Sequence, residues 1–293
     1  MTTTTTTARY SAGAALCLIS ATGFGLAPIF ARETYAAGVG VSTMLTVRFG
    51  LAAAVFCIMV AWRRPAVPTR RTLVVCALLG AVGYACQAAF YFGALTVISA
   101  PLVALLLYTY PALVTGIAVV LRRQSLDRRR VAALGCSAVG LLLLLGTGGS
   151  ADTGGVLLGL GAAVAYAIYL TVAEGLPDDL DLYLLSAVVC TGAAGSLAAA
   201  ASVTGSLHPP FVAAGWLWMA LLALISTVIP IVTMFAGVRA VGASTAAILS
   251  CAEPAVTVAS TALVYGEQPA AGQVVGGAIV LATIFVLRSR SIT

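Results

Sequence analysis

Apolar residues in this chain come in long runs, and the polar residues gather in the short breaks between them. The runs fall at about 11–31, 41–62, 72–94, 97–121 and 130–147, and then at about 154–174, 182–204, 213–236, 243–265 and 270–288. Most reach the ~20 residues that an α-helix needs to cross a bilayer. Helices apolar all round must be surrounded by lipid or protein. The pattern predicts an all-α membrane protein of ten transmembrane helices. Residues 1–10, mostly threonine, predict a disordered N-terminal tail, and 289–293 a short C-terminal one. The first run extends to about Phe30, longer than the ~7–15 residues of a signal-peptide core, so it is expected to stay as a span.

Composition agrees with lipid as the solvent. Charged residues make up 8% of the 293 positions and the mean hydropathy is +1.08, whereas soluble domains carry roughly 25% charge. All fifteen basic residues are arginine. Without lysine there is no P-loop lysine for ATP hydrolysis and no Schiff base to a pyridoxal or retinal cofactor. His208 is the only histidine, and the seven cysteines are scattered through apolar runs without a C-x-x-C. No metal site, disulfide framework or cofactor is expected. H-E-x-x-H and G-x-S-x-G are absent too, which speaks against an intramembrane enzyme.

The arginines orient the chain. Arg63, Arg64, Arg70 and Arg71 lie in one loop and Arg122, Arg123, Arg128, Arg129 and Arg130 in another two spans later, on the same face. With Arg9, Arg239, Arg288 and Arg290 that face carries 13 arginines, against Arg32 alone on the other. The positive-inside rule then predicts cytoplasmic termini in the inner (cytoplasmic) membrane. One loop dissents with Glu174, Asp178, Asp179 and Asp181, although acids weigh little in that rule. The net charge of +6 is an orientation signal, and no nucleic-acid partner is implied.

The chain also repeats itself. Tyr110-Pro111-Ala112 in the fourth span matches Glu253-Pro254-Ala255 in the ninth, and Gln124 matches Glu267, both at an offset of 143; Phe92 and Phe235 share that register. Ser20 to Phe24 resembles Ala162 to Tyr166 at an offset of 142. Each half has five spans, an odd number, so the second half enters the membrane from the opposite side. Residues 11–147 and 154–288 thus read as two inverted five-helix repeats. In secondary transporters built this way the binding site lies near the midplane where the halves meet.

Glu253 is the sharpest chemical signal. It lies about ten residues into its span, roughly 15 Å deep at 1.5 Å per residue, where an ionised side chain costs at least ~2.5 kcal/mol on insertion scales. It forms one polar stripe with Ser250, Thr257 and Ser260. At that depth the charged form is the expensive one, which makes Glu253 the candidate for proton coupling and substrate binding; a plain hydrogen bond between two helices is the alternative. Pro254 frees the carbonyl of Ser250, Pro111 that of Leu107, Pro230 that of Ser226 and Pro28 that of Phe24. Each proline could be a simple kink, but together they mark spans one, four, eight and nine.

Tyr84, Gln87 and Tyr91 share one face of the third span, and Tyr166 and Tyr169 one face of the sixth. These tyrosines, with Tyr110, either line a substrate site or pack at helix interfaces. Gln87 needs partners for both donor and acceptor, which favours a cavity. Arg48, about seven residues into the second span, either snorkels outward or pairs with Glu33. It is a candidate gate or structural residue, as are Pro111 and Pro254. Glu267 reads as a turn residue, and Trp216 and Trp218 as interfacial anchors. Gly155-x-x-x-Gly159, Gly272-x-x-x-Gly276, Gly192 and Gly195 read as close packing within one chain. A monomer is expected, with a homodimer as the alternative.

Two five-span halves, Arg48-Phe49 in the second span, a late proline in spans four and nine, and Gly266-Glu267 opening the last hairpin resemble the drug/metabolite transporter superfamily, specifically its EamA-type ten-span exporters. The likeness covers residues 11–288, with Gln124 where the family usually has Glu and Phe24 where a Trp before Gly is common. It implies export of a small metabolite, such as an amino acid or a related amphipathic compound, and a structural role for Arg48. Helices one, three, four, six, eight and nine are expected to surround a central cavity, with five and ten bracing the outside. Alternating access with proton exchange at Glu253 is the expected mechanism. An uncoupled facilitator and a non-transporting assembly protein are the alternatives, and a closed, dry interface at Glu253 would favour the latter.

Overall fold

The structure is a computed structural model describing residues 2–94, 97, 98, 100–124, 127–146, 152–208, 212–266 and 268–288, with backbone alone at 2–9, 92, 100, 101 and 283–288. Pro209, Pro210, Glu267 and Arg290 lie outside the described residues.

Among the described residues every regular element is helical, and the helices follow the ten apolar runs. The spans are α1 (Thr2–Gly25 and Ala27–Ala36), α2 (Val41–Arg63), α3 (Arg70–Leu78, a π-helical turn Leu79–Tyr84, and Ala85–Ala94), α4 (Ala100–Leu107 and Tyr110–Val120) and α5 (Arg128–Leu145). The second half comprises α6 (Thr153–Glu174), α7 (Leu182–Val203), α8 (Ala213–Ala223, a π-helical turn Leu224–Val228, and Ile229–Val241), α9 (Ala243–Ser250 and Glu253–Tyr265) and α10 (Ala271–Arg288). Eight of the spans are long and apolar enough to cross a membrane by themselves. The other two, α5 and α10, have 18 residues each, and α5 opens on three arginines.

Carboxylates start several helices. Asp127 accepts from Arg130 N (2.8 Å), Asp152 from Gly155 N (2.9 Å), and Asp181 from Tyr183 N and Leu184 N (2.9 and 3.0 Å). Each satisfies amide donors that the helix itself leaves open. At the N-terminus the backbone of Thr2 to Tyr10 is helical and continuous with the first span, where composition predicted a disordered tail. Extending a helix already formed avoids the cost of nucleation, which threonines alone could not meet.

The proline-bearing spans are all interrupted. The α4 and α9 segments restart at Tyr110 and Glu253, with Pro111 and Pro254 in their first turns. Pro28 and Pro230 likewise begin the second segments of α1 and α8. The break in α3 has no proline: its π-turn sits where Gly80 lets the backbone approach α7 so closely that an added Cβ would lie 2.0 Å from the Val189 carbonyl.

Packing between the halves follows a pseudo-two-fold rule. The pairs α2–α7, α4–α9 and α5–α10 join equivalent helices, while α1 packs on α8 and, correspondingly, α6 on α3. Exchanging the halves exchanges the last two pairs and leaves the other three in place. The α5–α10 contact is glycine-mediated, since a Cβ on Gly276 would lie 2.5 Å from the Gly140 carbonyl. This is the inverted-repeat architecture that the sequence offsets predict.

Candidate functional site

The site grows from the interruption of α9. Pro254 has no amide hydrogen, so the helix cannot run through it, and the chain restarts with Glu253 at the first position of the new segment. A carboxyl there is favoured by the positive end of the segment's dipole. Its side chain enters a cavity of about 630 Å³, within the ~300–1,000 Å³ usual for small-molecule sites. Gln87, Tyr84 and Tyr91 reach the same cavity from α3, Arg32 and Tyr35 from α1, Arg48 and Phe49 from α2, and Ala104 and Tyr108 from α4. These positions lie in the half of the bundle away from the Arg-rich loops. The Tyr108 hydroxyl lies beside Glu253, and Arg48 is the guanidinium that acts on the acid through space. The walls are mostly apolar and aromatic, with two arginines and one acid among them.

Arg48 does not pair with Glu33, as one sequence expectation had it. The Glu33 carboxylate accepts instead from the Tyr265 hydroxyl at 2.8 Å. Arg48 reaches across to α8, where Nε donates to Thr227 Oγ1 and Nη2 donates to the Ser226 carbonyl at 2.7 Å. That carbonyl is the one freed by Pro230, and Ser226 has non-helical torsions (φ −107°, ψ 15°) inside the π-turn. Thr227 Oγ1 in turn donates to Leu222 O at 3.0 Å. The α3 π-turn is tied in the same way by a neutral group, Ser196 Oγ of α7 donating to Ala81 O at 2.8 Å.

The half of the bundle toward the Arg-rich loops is closed. Tyr110 and Tyr166 meet edge-on at 4.7 Å between ring centroids, Tyr166 stacks on Tyr169 at 5.8 Å, and Tyr169 meets Tyr84 at 5.9 Å and Phe235 at 6.1 Å. The Tyr110 hydroxyl donates to Ala247 O of α9 (3.4 Å), and the hydroxyls of Thr115 and Ser244 share a hydrogen bond of 2.7 Å. Below this plug the acidic loop that dissented in the charge count joins the two halves. Glu174 accepts from Ala243 N at 2.8 Å and meets Arg123 at 3.4 Å, Arg239 donates to the Pro177 and Asp178 carbonyls, and Asp181 lies 3.9 Å from Arg63.

Of the residues singled out in the sequence, Glu253, Gln87, Tyr84, Tyr91, Arg48 and Pro254 come together around the cavity. Tyr110, Tyr166, Tyr169 and Ser250 do not line it. Tyr110 and Tyr169 are 1% and 4% exposed inside the plug, and Ser250 is buried with its hydroxyl donating to Ala246 O at 2.9 Å. Pro111 is likewise buried beside the plug. The expected ring of helices also changes: α2 lines the cavity, α8 adds only Leu222, α5 adds Leu145, and α6 adds nothing. The pseudo-two-fold rule accounts for this, because α6 occupies in the closed half the place that α1 has in the open half. Sequence reasoning missed Tyr108, Arg32 and Tyr35. Tyr108 lies one helical turn beyond Ala104 and beside a proline break, and Arg32 follows Pro28 at a spacing of four, so both had a local signal.

A bundle of two inverted five-helix repeats, open around a mid-membrane acid in one half and closed by aromatics in the other, has an architecture that many membrane transporters share. The comparisons agree. The EamA-like transporter family matches residues 11–146 and again 153–289, one match to each repeat. The chain is 28% identical over 286 residues to the "Uncharacterized transporter YcbK" of Bacillus subtilis (strain 168), an alignment covering 91% of this chain and 89% of that one. It also superposes on a protein crystal structure with a TM-score of 0.80 at 18% identity, covering 97% of this chain and 99% of the other, a likeness of fold. The chain belongs to the EamA-like transporter family, within the drug/metabolite transporter superfamily, and is a multi-pass membrane transport protein.

Proposed function

We propose that the protein exports small amphipathic metabolites, amino acids among them, in exchange for protons, by alternating access in the inner (cytoplasmic) membrane. The observation that carries this reading is one carboxyl, Glu253, sharing a cavity with Arg48, Arg32 and several tyrosines. A zwitterion has a partner there for each pole, its carboxylate toward the guanidiniums and its ammonium toward Glu253, while aromatic walls suit an apolar side chain. Proton and ammonium compete for the same carboxyl, which is the chemistry an exchanger needs. With 13 arginines on the face of the termini, the positive-inside rule supports cytoplasmic termini and a cavity on the external side. An open cavity at Glu253 also favours transport over an assembly role, for which a closed interface was the expectation.

The test is flux in proteoliposomes. Glu253→Gln keeps size and hydrogen bonding but cannot release a proton, and it is expected to abolish substrate flux driven by a pH gradient. Proton-coupled flux that persists unchanged in this variant refutes the proposal. The closeness of Tyr108 to Glu253 favours a second reading, in which the acid merely ties α4 to α9 in an uncoupled facilitator. That reading predicts downhill flux with no response to an imposed pH gradient.

A further inference from the structure

Inverted repeats allow the closed half of one conformation to serve as the template for closure of the other half. The register for this comparison is set by the helix breaks themselves. Segment Ala100–Leu107 of α4 matches Ala243–Ser250 of α9, and the restart at Tyr110 matches the restart at Glu253, all at an offset of 143. In the closed half the Tyr110 hydroxyl crosses from α4 to α9 and donates to Ala247 O at 3.4 Å, while its ring packs on Tyr166. The residues in matching positions of the open half are Glu253, Ala104 and Phe24, and all three line the cavity.

We infer that closure of the cavity brings the Glu253 carboxyl onto the backbone carbonyl of Ala104, in the contact that Tyr110 makes with Ala247, and that only the protonated acid completes it. A carbonyl oxygen accepts hydrogen bonds and cannot give one. The phenol of Tyr110 always has a proton to donate, a neutral carboxyl has one, and a carboxylate has none. The Ala104 carbonyl already accepts from Tyr108 N at 2.9 Å and has a second lone pair to offer, but a carboxylate facing it in a contact closed to water would be buried and unsatisfied. The closed half of the molecule therefore forms without regard to pH, whereas its counterpart forms only after Glu253 has taken up a proton.

Other ionisable groups face Glu253 in the open cavity. Tyr108 of α4 lies beside it there, with a hydroxyl that can donate a hydrogen bond to the charged form. From α3 come Tyr84 and Tyr91, and from α1 Arg32 and Tyr35. Arg48 of α2 has Nε and Nη2 committed to the α8 π-turn. Cys251 lies behind the acid on its own helix, with Tyr110 and Tyr166 beyond it. The neighbours that Tyr110 has in the closed half, Tyr166 and Ser250, are replaced in the matched register by Phe24 and Leu107, which have no side-chain proton to donate.

This inference rests on proton coupling at Glu253 and names the step at which the proton is required. Hydrogen–deuterium exchange of Ala100–Leu107 tests it on the full-length protein in lipid vesicles, each variant being compared with wild type at the same pH so that intrinsic exchange rates cancel. In alkaline buffer Glu253→Gln and Glu253→Tyr, which both donate, are expected to slow exchange of this segment several-fold relative to wild type, and the difference disappears in acid. Glu253→Ala, which has no donor, exchanges like wild type in alkaline buffer and faster than wild type in acid. Equal exchange of wild type and Glu253→Gln in alkaline buffer, or Glu253→Ala as protected as Glu253→Gln, overturns the contact. Loss of pH-driven flux in Glu253→Gln together with unchanged exchange overturns this contact alone, whereas wild-type flux indifferent to pH overturns the coupling on which it rests.

Discussion

Replacing Arg48 by methionine removes the tie across the α8 π-turn while keeping an unbranched stem of similar reach. Two charge-assisted hydrogen bonds go, to the Ser226 carbonyl and to Thr227 Oγ1, each worth about 1.5–3 kcal/mol. The carbonyl freed by Pro230 is left without that donor, so the expected loss is about 3–5 kcal/mol, the cost typical of breaking a buried polar tie. Lysine restores the charge but as a point rather than a fork, and should recover about half of it. Thermal unfolding of the purified protein in detergent, followed by circular dichroism, should show a Tm lower by the order of 5–10 °C for Arg48→Met. Because both groups act on one turn, Arg48→Met combined with Thr227→Ala should cost clearly less than the sum of the single changes. Arg48→Met melting within a degree of wild type would refute the view that this residue holds the turn.

Two further outcomes follow from contacts elsewhere in the bundle. Glu174→Ala removes the acceptor for Ala243 N, an N-terminal cap worth about 1 kcal/mol, so amides at the start of Ala243–Ser250 should exchange about fivefold faster; Glu174→Gln keeps an acceptor and should stay near wild type. Gly276→Val places a Cβ within 2.5 Å of the Gly140 carbonyl, backbone against backbone with no flexible side chain to give way. It is expected to abolish the folded fraction on size-exclusion chromatography, whereas Gly116→Ala, with nothing within 4 Å of the added carbon, leaves it intact.

The spans and their interruptions were legible because their causes are local. Long apolar runs cross membranes, and a proline frees a carbonyl wherever it stands. Even the partner-seeking Ser226 carbonyl was readable from Pro230. What took that carbonyl was not, because Arg48 is 178 residues away in sequence and reaches it only through the packing of α2 near α8. The α3 π-turn escaped for a similar reason, since its cause is the approach of α7 to Gly80 and not a residue that breaks helices. Tyr110, Tyr166, Tyr169 and Ser250 carry the same kind of chemistry as Tyr84, Gln87, Tyr91 and Glu253. The repeat places one set in each half of the membrane, and the sequence has no mark for which half is closed. The acidic residues of the α6–α7 loop read as an exception in topology, and their partners Arg63, Arg123 and Arg239 emerge only when both halves are assembled.

A bundle whose helices pair by a two-fold rule would, as bare architecture, work equally well turned upside down. Its sense of direction must then come from positions where the two halves have drifted apart. Arg48 matches Thr191, Tyr166 matches Phe24, and Tyr110 matches Glu253. One face has received the permanent charge and the titratable acid, and the other an uncharged hydroxyl and a ring of phenols. A descendant of a duplicated half-chain can in this way distinguish outside from inside with a few substitutions, leaving every helix where symmetry put it.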